Sequence, residues 1–292
     1  MPRPAPFTNT PLTDAELNAR TVDVIGDLDQ LNGIYFPKTN LTSALNAVPG
    51  MMSKTFYVDQ VNGSDTSGDG SQTAPFASVN KAIASVPSGG QVTIRFIGNY
   101  KFTSDVGVVN KRVVFEVPDN AILKPTWYQD SGNNYNILNG INCSGFVGIE
   151  FILGSGAKIL LDDEGFSTTT TYGTSSFFQF IKKNRSCVGY VYVSGYNTTT
   201  NIELAGVNSS PVFMNHGNLH SSEALVLHLW SVNIVKLGNG LLTAGDGIFG
   251  LKTSQVSITD GAGNALTWND VLGGIIKDVN GVPRNVISNL IL

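Results

Sequence analysis

The densest group of ionisable side chains is Asp162-Asp163-Glu164, which ends the apolar run Lys158 to Leu161 and leads into a Gly-Phe-Ser-Thr loop. Paired carboxyl groups cleave glycosidic bonds when one keeps its proton as an acid and the other is ionised as base or nucleophile. At an extended strand end, Asp162 and Glu164 share a face, and they are the catalytic pair this sequence offers. The competing reading is a solvated acidic corner, since adjacency alone does not make a site. Glu150, Glu203 and Glu223 lie in or near apolar runs and could line a groove across successive strands. His216, His220 and Glu223 have the spacing of metal ligands on a helix, but Pro211 and Gly217 place them in a loop. A structural site needs a defined ligand geometry, so no metal site is expected, and nothing calls for a cofactor. Asp65, Asp69 and Gly70 hint at a cation loop without EF-hand spacing, and are read as a turn.

A second kind of chemistry is offered by Trp127-Tyr128, which is followed by Asp130, Asn133, Asn134 and Tyr135. Aromatic faces stack on pyranose rings, and neutral amides hydrogen-bond sugar hydroxyls. Trp127, Tyr128 and Asp130 therefore form the expected carbohydrate-binding patch, with Tyr172, and also Tyr196, on Thr-rich loops that could extend it. The alternative for Trp127 is that it fills the gap between a loop and the body of the fold.

Positioning such residues is a task for strands. Of 292 residues only 14% are charged, against roughly 25% in an average soluble domain. Asn, Ser, Thr and Gly take their place, which suits many short strands and turns rather than exposed helices rich in Glu and Lys. The net charge of −4 and the absence of a Lys or Arg block supply no basic stripe, so nucleic acid is not an expected partner. No window resembles a membrane span, so no membrane insertion is expected. The start Met1-Pro2-Arg3-Pro4 leads into polar residues without the apolar region of a secretory signal. Cys143 and Cys187 both sit beside apparent strands, where they read as small core residues.

Residues 1–54 differ from the rest. Thr13-Asp14-Ala15-Glu16 fits a capping box before a short helix over Asp14 to Ala19, and Leu41 to Val48 predicts a second. Ile34-Tyr35-Phe36 is an apolar patch too large for so small a segment to bury. From about Thr55 the pattern becomes strand-like. A short helix is expected over Ser78 to Val86, with Val79, Ala82, Ile83 and Val86 on one face. Apolar alternating runs follow at Val92 to Ile97, Val113 to Val117, Phe146 to Ile152, Lys158 to Leu161, Phe177 to Ile181, Val188 to Val193 and Ile202 to Leu204. The series ends with Leu225 to Leu237, Gln255 to Thr259, Gly274 to Val279 and Val286 to Leu292. Ser144 to Phe151 echoes Arg185 to Tyr192, which places Gly148 against Gly189 about two repeat units apart. The pattern predicts an all-β fold, a right-handed parallel β-helix over residues 55–292 whose end is covered by the 78–86 helix. The competitor is an antiparallel sandwich, signalled by pairs such as Asn139-Gly140 and Asp260-Gly261.

The run Tyr57-Val58-Asp59, Asn62-Gly63-Ser64-Asp65, Gly68-Asp69-Gly70, Ala74-Pro75-Phe76-Ala77-Ser78 and Lys81-Ala82-Ile83 resembles the opening of pectate-lyase-like right-handed β-helix proteins. Many of these are bacteriophage tail spikes and tail fibres. The resemblance implies a structural virion protein, made in the host cytoplasm and exposed on the phage particle. It implies a homotrimer attached to other phage structural proteins through residues 1–54 and binding a host surface polysaccharide. One scaffold carries enzymes, binding modules and spacers alike. A glycan-degrading spike acting through Asp162 and Glu164, or a head fibre or decoration protein, are therefore the alternatives.

Overall fold

The chain divides into two units, Met1–Gly50 and Met51–Leu292. The computed structural model describes residues 53–130, 132, 134–172, 176–180, 187–196, 199–215, 225–245 and 247–290. The expected helices at 14–19 and 41–48, the apolar patch at 34–36 and the His216, His220 and Glu223 group lie outside these residues. No helix of the described residues is long and apolar enough to cross a membrane.

The described residues are predominantly β, with large parallel sheets. Strand β1 (Ser53–Val58) is followed by the helix α1 (Val79–Ala84), whose N-cap Ser78 accepts a hydrogen bond from the Lys81 amide at 3.1 Å and which buries Val79, Ala82 and Ile83. That helix is the one read from the 78–86 pattern, and its first-turn cap is worth about 1 kcal/mol. The longest ladder then joins β1, β2 (Gln91–Phe96), β4 (Val106–Val117), β8 (Ile141–Leu153), β12 (Cys187–Ser194), β15 (Leu225–Trp230), β18 (Phe249–Ser254) and β20 (Val286–Ser288), all parallel neighbours. A second ladder joins β3 (Tyr100–Phe102), β5 (Ile122–Pro125), β9 (Lys158–Leu161), β13 (Asn201–Leu204), β16 (Asn233–Lys236) and β19 (Ser257–Asp260). The first halves of β4 and β8 continue into a third parallel run through β11 (Ser176–Phe180), β14 (Val212–Asn215) and β17 (Leu241–Ala244). From β2 to β19 the strands of the three ladders follow one another in the same repeating order of first, second and third.

Alternation sends every second side chain inward. Along the first ladder the inward column reads Ile94, Phe115, Phe151, Val193 and Leu229. Along the second it reads Tyr100, Leu123, Ile159, Ile202, Ile234 and Ile258, and along the third Val106, Ile141, Phe178 and Met214. The columns meet in one core, where Phe115 stacks on Phe151 with centroids 4.9 Å apart and Phe151 meets Phe178 edge-on at 5.7 Å. Cys143 is buried among them; the side chain of Cys187 lies outside the described ones.

The structure departs from the sequence reading at three places. The run Leu225 to Leu237 is two strands, broken at Ser231, whose φ of 54° turns the chain from the first ladder to the second. Residues 274–279 are not a strand. Asp278 Oδ1 accepts the amides of Asn280 and Val282 and closes a polar turn there, leaving Val279 on the surface. The Gly148 and Gly189 echo does mark paired strands, but β8 and β12 are direct neighbours rather than two units apart, and Gly189 lies opposite Val147 while Gly148 lies opposite Tyr190. The antiparallel sandwich is not what forms: of the pairings between described strands only the hairpin β6 (Trp127–Asp130) to β7 (Tyr135–Leu138) is antiparallel, and β10 (Thr171–Tyr172) adds to it in parallel.

Candidate functional site

The sequence-predicted carboxylates Asp162 and Glu164 are indeed brought together, by a lysine. Lys124 of β5 places its Nζ 2.5 Å from Asp162 Oδ2 and 2.6 Å from Glu164 Oε2, and Lys101 of β3 adds a contact of 2.8 Å to Glu164 Oε1. The two ammonium groups hold the Glu164 carboxyl below the usual carboxylate range. A general acid needs the opposite displacement, so Glu164 is not held as the protonated partner of a pair. Asp163 is a clamp. It accepts the amides of Val207 at 2.9 Å, Asn208 at 2.9 Å and Ser209 at 3.0 Å, together with the Ser209 hydroxyl.

Burial pushes the Asp163 carboxyl up, but these donors outweigh it and the net displacement is down. A carboxyl depressed in the folded state stabilises at pH values above its unfolded pKa, near 3.9, and loses that contribution as pH falls through the lower folded value. Asp163→Ala is expected to cost about 1–3 kcal/mol, chiefly by leaving the buried Ser209 amide and hydroxyl without an acceptor. Hydrogen exchange reads this as faster exchange at Val207 to Ser209 in the variant at pH 7. Unchanged exchange would mean that the clamp does not hold the turn.

Trp127 does not offer its indole to a sugar. It is 4% exposed, donates Nε1–H to the Asp162 carbonyl at 2.8 Å and packs edge-on against Phe166 at 5.1 Å. Gly165, at φ 85°, lets the 162–166 turn approach the Trp127 carbonyl, where a Cβ would collide. The indole thus fastens the acidic turn to the hairpin, and the expected sugar platform is corrected to a packing residue. Tyr128 and Tyr135 of the same hairpin remain exposed, and Asp130 Oδ1 accepts the Gly132 amide at 3.0 Å. Tyr172 of β10 pairs through its backbone with Asn136 of β7, but its side chain, like Asn133, lies outside those described. Asp65 accepts the amides of Ala77 and Ser78 and the Ser78 hydroxyl, tying the polar loop to the start of α1.

The outward face of the first ladder gathers a different set. Its register places Gln91, Arg112, Gly148 and Tyr190 in one row across β2, β4, β8 and β12. Arg112 grips Glu150 bidentately, Nε to Oε1 and Nη2 to Oε2 each at 2.8 Å, while Nη1 reaches Gln91 Oε1 at 2.9 Å. Tyr190 donates its hydroxyl to Glu150 Oε1 at 2.5 Å. Its ring crosses β8 over Gly148, where an added Cβ would come within 2.8 Å of the phenol carbon. Burial pushes the Glu150 carboxyl up, but Arg112 and Tyr190 more than offset this and hold it low. Burial and the neighbouring carboxylate push the Tyr190 phenol up, which keeps the hydroxyl a donor.

These residues border an open groove of about 630 Å³ lined by Gln91, Asn110, Lys111, Arg112, Phe146 and Tyr190, among others. Phe146 is 74% exposed, and such a solvent-facing ring is the feature that a stacking partner covers. Farther along the same face a smaller groove of about 430 Å³ repeats the theme with Tyr57, Arg95, Glu116 and Tyr196. There Arg95 Nε lies 2.5 Å from Glu116 Oε2. Among the described residues no group of three or more His, Cys, Asp or Glu side chains could hold a metal ion.

Of this face the sequence pointed only to Glu150 and Tyr196. Arg112, Phe146 and Tyr190 are far apart in the chain and meet only through the ladder register. The available signal was Phe146 itself, an aromatic residue behind the turn-forming Gly145 inside an otherwise alternating run. Compared with protein-family profiles, with curated proteins and with solved structures, the chain matches none of them.

Proposed function

We propose that residues 53–290 coil as a right-handed parallel β-helix, and that the protein is a structural part of a bacteriophage particle, a tail spike or fibre appendage that binds a host surface polysaccharide. The repeating order of the three parallel ladders supports the coil. So do its short turns: ladder partners Arg95 and Glu116 are 21 residues apart, and Asn233 and Ser257 are 24 apart, within the size of a solenoid repeat. The residues from Tyr57 to Ile83 carry the likeness to phage appendages. In this reading residues 1–54 attach a homotrimer to other structural proteins, and the chain reaches the virion from the host cytoplasm.

The observation that carries the binding reading is the exposed ring of Phe146 beside the Arg112, Glu150 and Tyr190 network. An apolar ring face next to fixed polar groups is the usual composition of a saccharide subsite. Glu150 and Glu164 are both held below the usual carboxylate range, the opposite of what a general acid needs, which favours binding without cleavage. The test is to incubate the purified protein with capsules and lipopolysaccharides from a panel of bacteria. Expected is retention of at least one polymer, no new reducing ends or unsaturated sugars, and light scattering at three times the 31.1 kDa chain mass. Oligosaccharide release abolished by Glu164→Gln would establish the degrading spike instead, and a 31.1 kDa particle would remove the trimer.

A further inference from the structure

We propose that the Phe146 groove selects an anionic glycan, whose carboxylate or phosphate sits between Lys111 and Arg112 while the apolar face of its sugar covers Phe146. This rests on the reading of the protein as a polysaccharide binder and names the class of polysaccharide.

Lys111 and Arg112 directly follow an irregularity in β4. The register between β4 and β8 shifts between Val109 and Lys111, where Asn110 has φ 48° and Gly145 opposite has φ 76°. Asn110 Oδ1 accepts the Phe146 amide at 2.9 Å and fixes the irregularity. Such a bulge re-aims side chains; here it sets Asn110 and Phe146 at the edge of the groove, whose lining Lys111 and Arg112 join as the next two residues of β4.

The balance of charge and donors follows. Glu150 is the carboxylate beside the groove, and its side chain is only 12% exposed against 48% for Arg112. Its oxygens are already taken by two Arg112 N–H groups and the Tyr190 hydroxyl. Arg112 has five N–H groups, of which three serve Glu150 and Gln91. Lys111 has three, of which one serves the Ile83 carbonyl at the end of α1 at 2.7 Å. Two cations with donors to spare therefore belong to the groove, Arg112 beside the spent Glu150 and Lys111 tethered to the end of α1, and no acidic side chain lines the groove among the described residues. Burial pulls the Lys111 ammonium down, so the fold does not compensate this charge, and an incoming anion would. Charge-assisted hydrogen bonds from a fork and an ammonium are the usual clamp for carboxylate or phosphate.

The experiment titrates the full-length protein with oligogalacturonate, colominic acid and glycerol-phosphate teichoic acid, with the carboxyl-reduced form of the first as the neutral control. Expected is binding of at least one anionic polymer. If a carboxylate is the ligand, reduction weakens binding at least tenfold; if a phosphate, only the teichoic acid binds. Lys111→Met is expected to weaken anionic binding about five- to tenfold, consistent with loss of one charge-assisted contact, and Lys111→Arg to restore it. Thermal melting confirms that both variants fold. Measurable and equal binding of parent and reduced polymer, or no response of anionic binding to Lys111→Met, overturns the proposal while leaving the polysaccharide reading in place. Binding confined to neutral capsules overturns it likewise. Binding to no glycan of either kind overturns both.

Discussion

Replacing Phe151 by alanine is expected to remove about 3–5 kcal/mol of folding stability. Phe151 is fully buried at the centre of the aromatic core, stacked on Phe115 across the first ladder and meeting Phe178 of the third edge-on. It therefore joins two sheet faces, and an alanine there leaves a void that parallel strands on both sides cannot close without breaking register. Against the roughly 5–15 kcal/mol total of a typical domain, this is enough to lower soluble yield. Phe151→Leu, which keeps most of the volume, is expected to cost far less. Phe146, on the same strand but exposed, is the internal control. Phe146→Ala is expected to change stability by no more than about 0.5 kcal/mol. Urea denaturation of the three variants separates the cases, and equal midpoints for Phe151→Ala and wild type would contradict the packing described.

The second large effect concerns binding. Phe146→Ala is expected to weaken polysaccharide binding by about two- to tenfold, because an aromatic stacking contact is worth about 0.5–1.5 kcal/mol beyond its area and a factor of ten corresponds to about 1.4 kcal/mol. Tyr128→Ala, on the separate β6–β7 hairpin, is expected to leave binding unchanged. Isothermal titration with whichever capsule or lipopolysaccharide the wild type retains makes the comparison. A loss with Tyr128→Ala and none with Phe146→Ala would move the receptor site to the hairpin.

Much of the strand series was legible because alternation over five or more residues, as in Gln91–Phe96 or Cys187–Ser194, is a local signal. The strands Tyr100–Phe102, Ile122–Pro125 and Leu241–Ala244 were not. Each is only three or four residues long, and such a segment shows no period until it is stacked on its neighbours. Register was equally hidden. The Gly148 and Gly189 echo found the right pair of strands but was off by one residue, and one residue exchanges the faces of a strand. The shared face of Asp162 and Glu164 was readable from spacing. Lys124, 38 residues before Asp162, was not, and it is what turns a candidate acid pair into an ion-pair corner. The groove belongs to the same class: Arg112 and Glu150 are also 38 residues apart, and only the ladder brings them together.

The central claim is that the outward face of the long parallel ladder is where this protein takes hold of a glycan. The most direct measurement is a crystal structure of the protein with a bound oligosaccharide cut from the polymer it retains. Expected is a sugar ring against Phe146, with Arg112 still paired to Glu150 and the glycosidic bonds intact. A sugar seated at Asp162 and Glu164 with a cleaved linkage, or at the Tyr128 hairpin with the Phe146 groove empty, would contradict it.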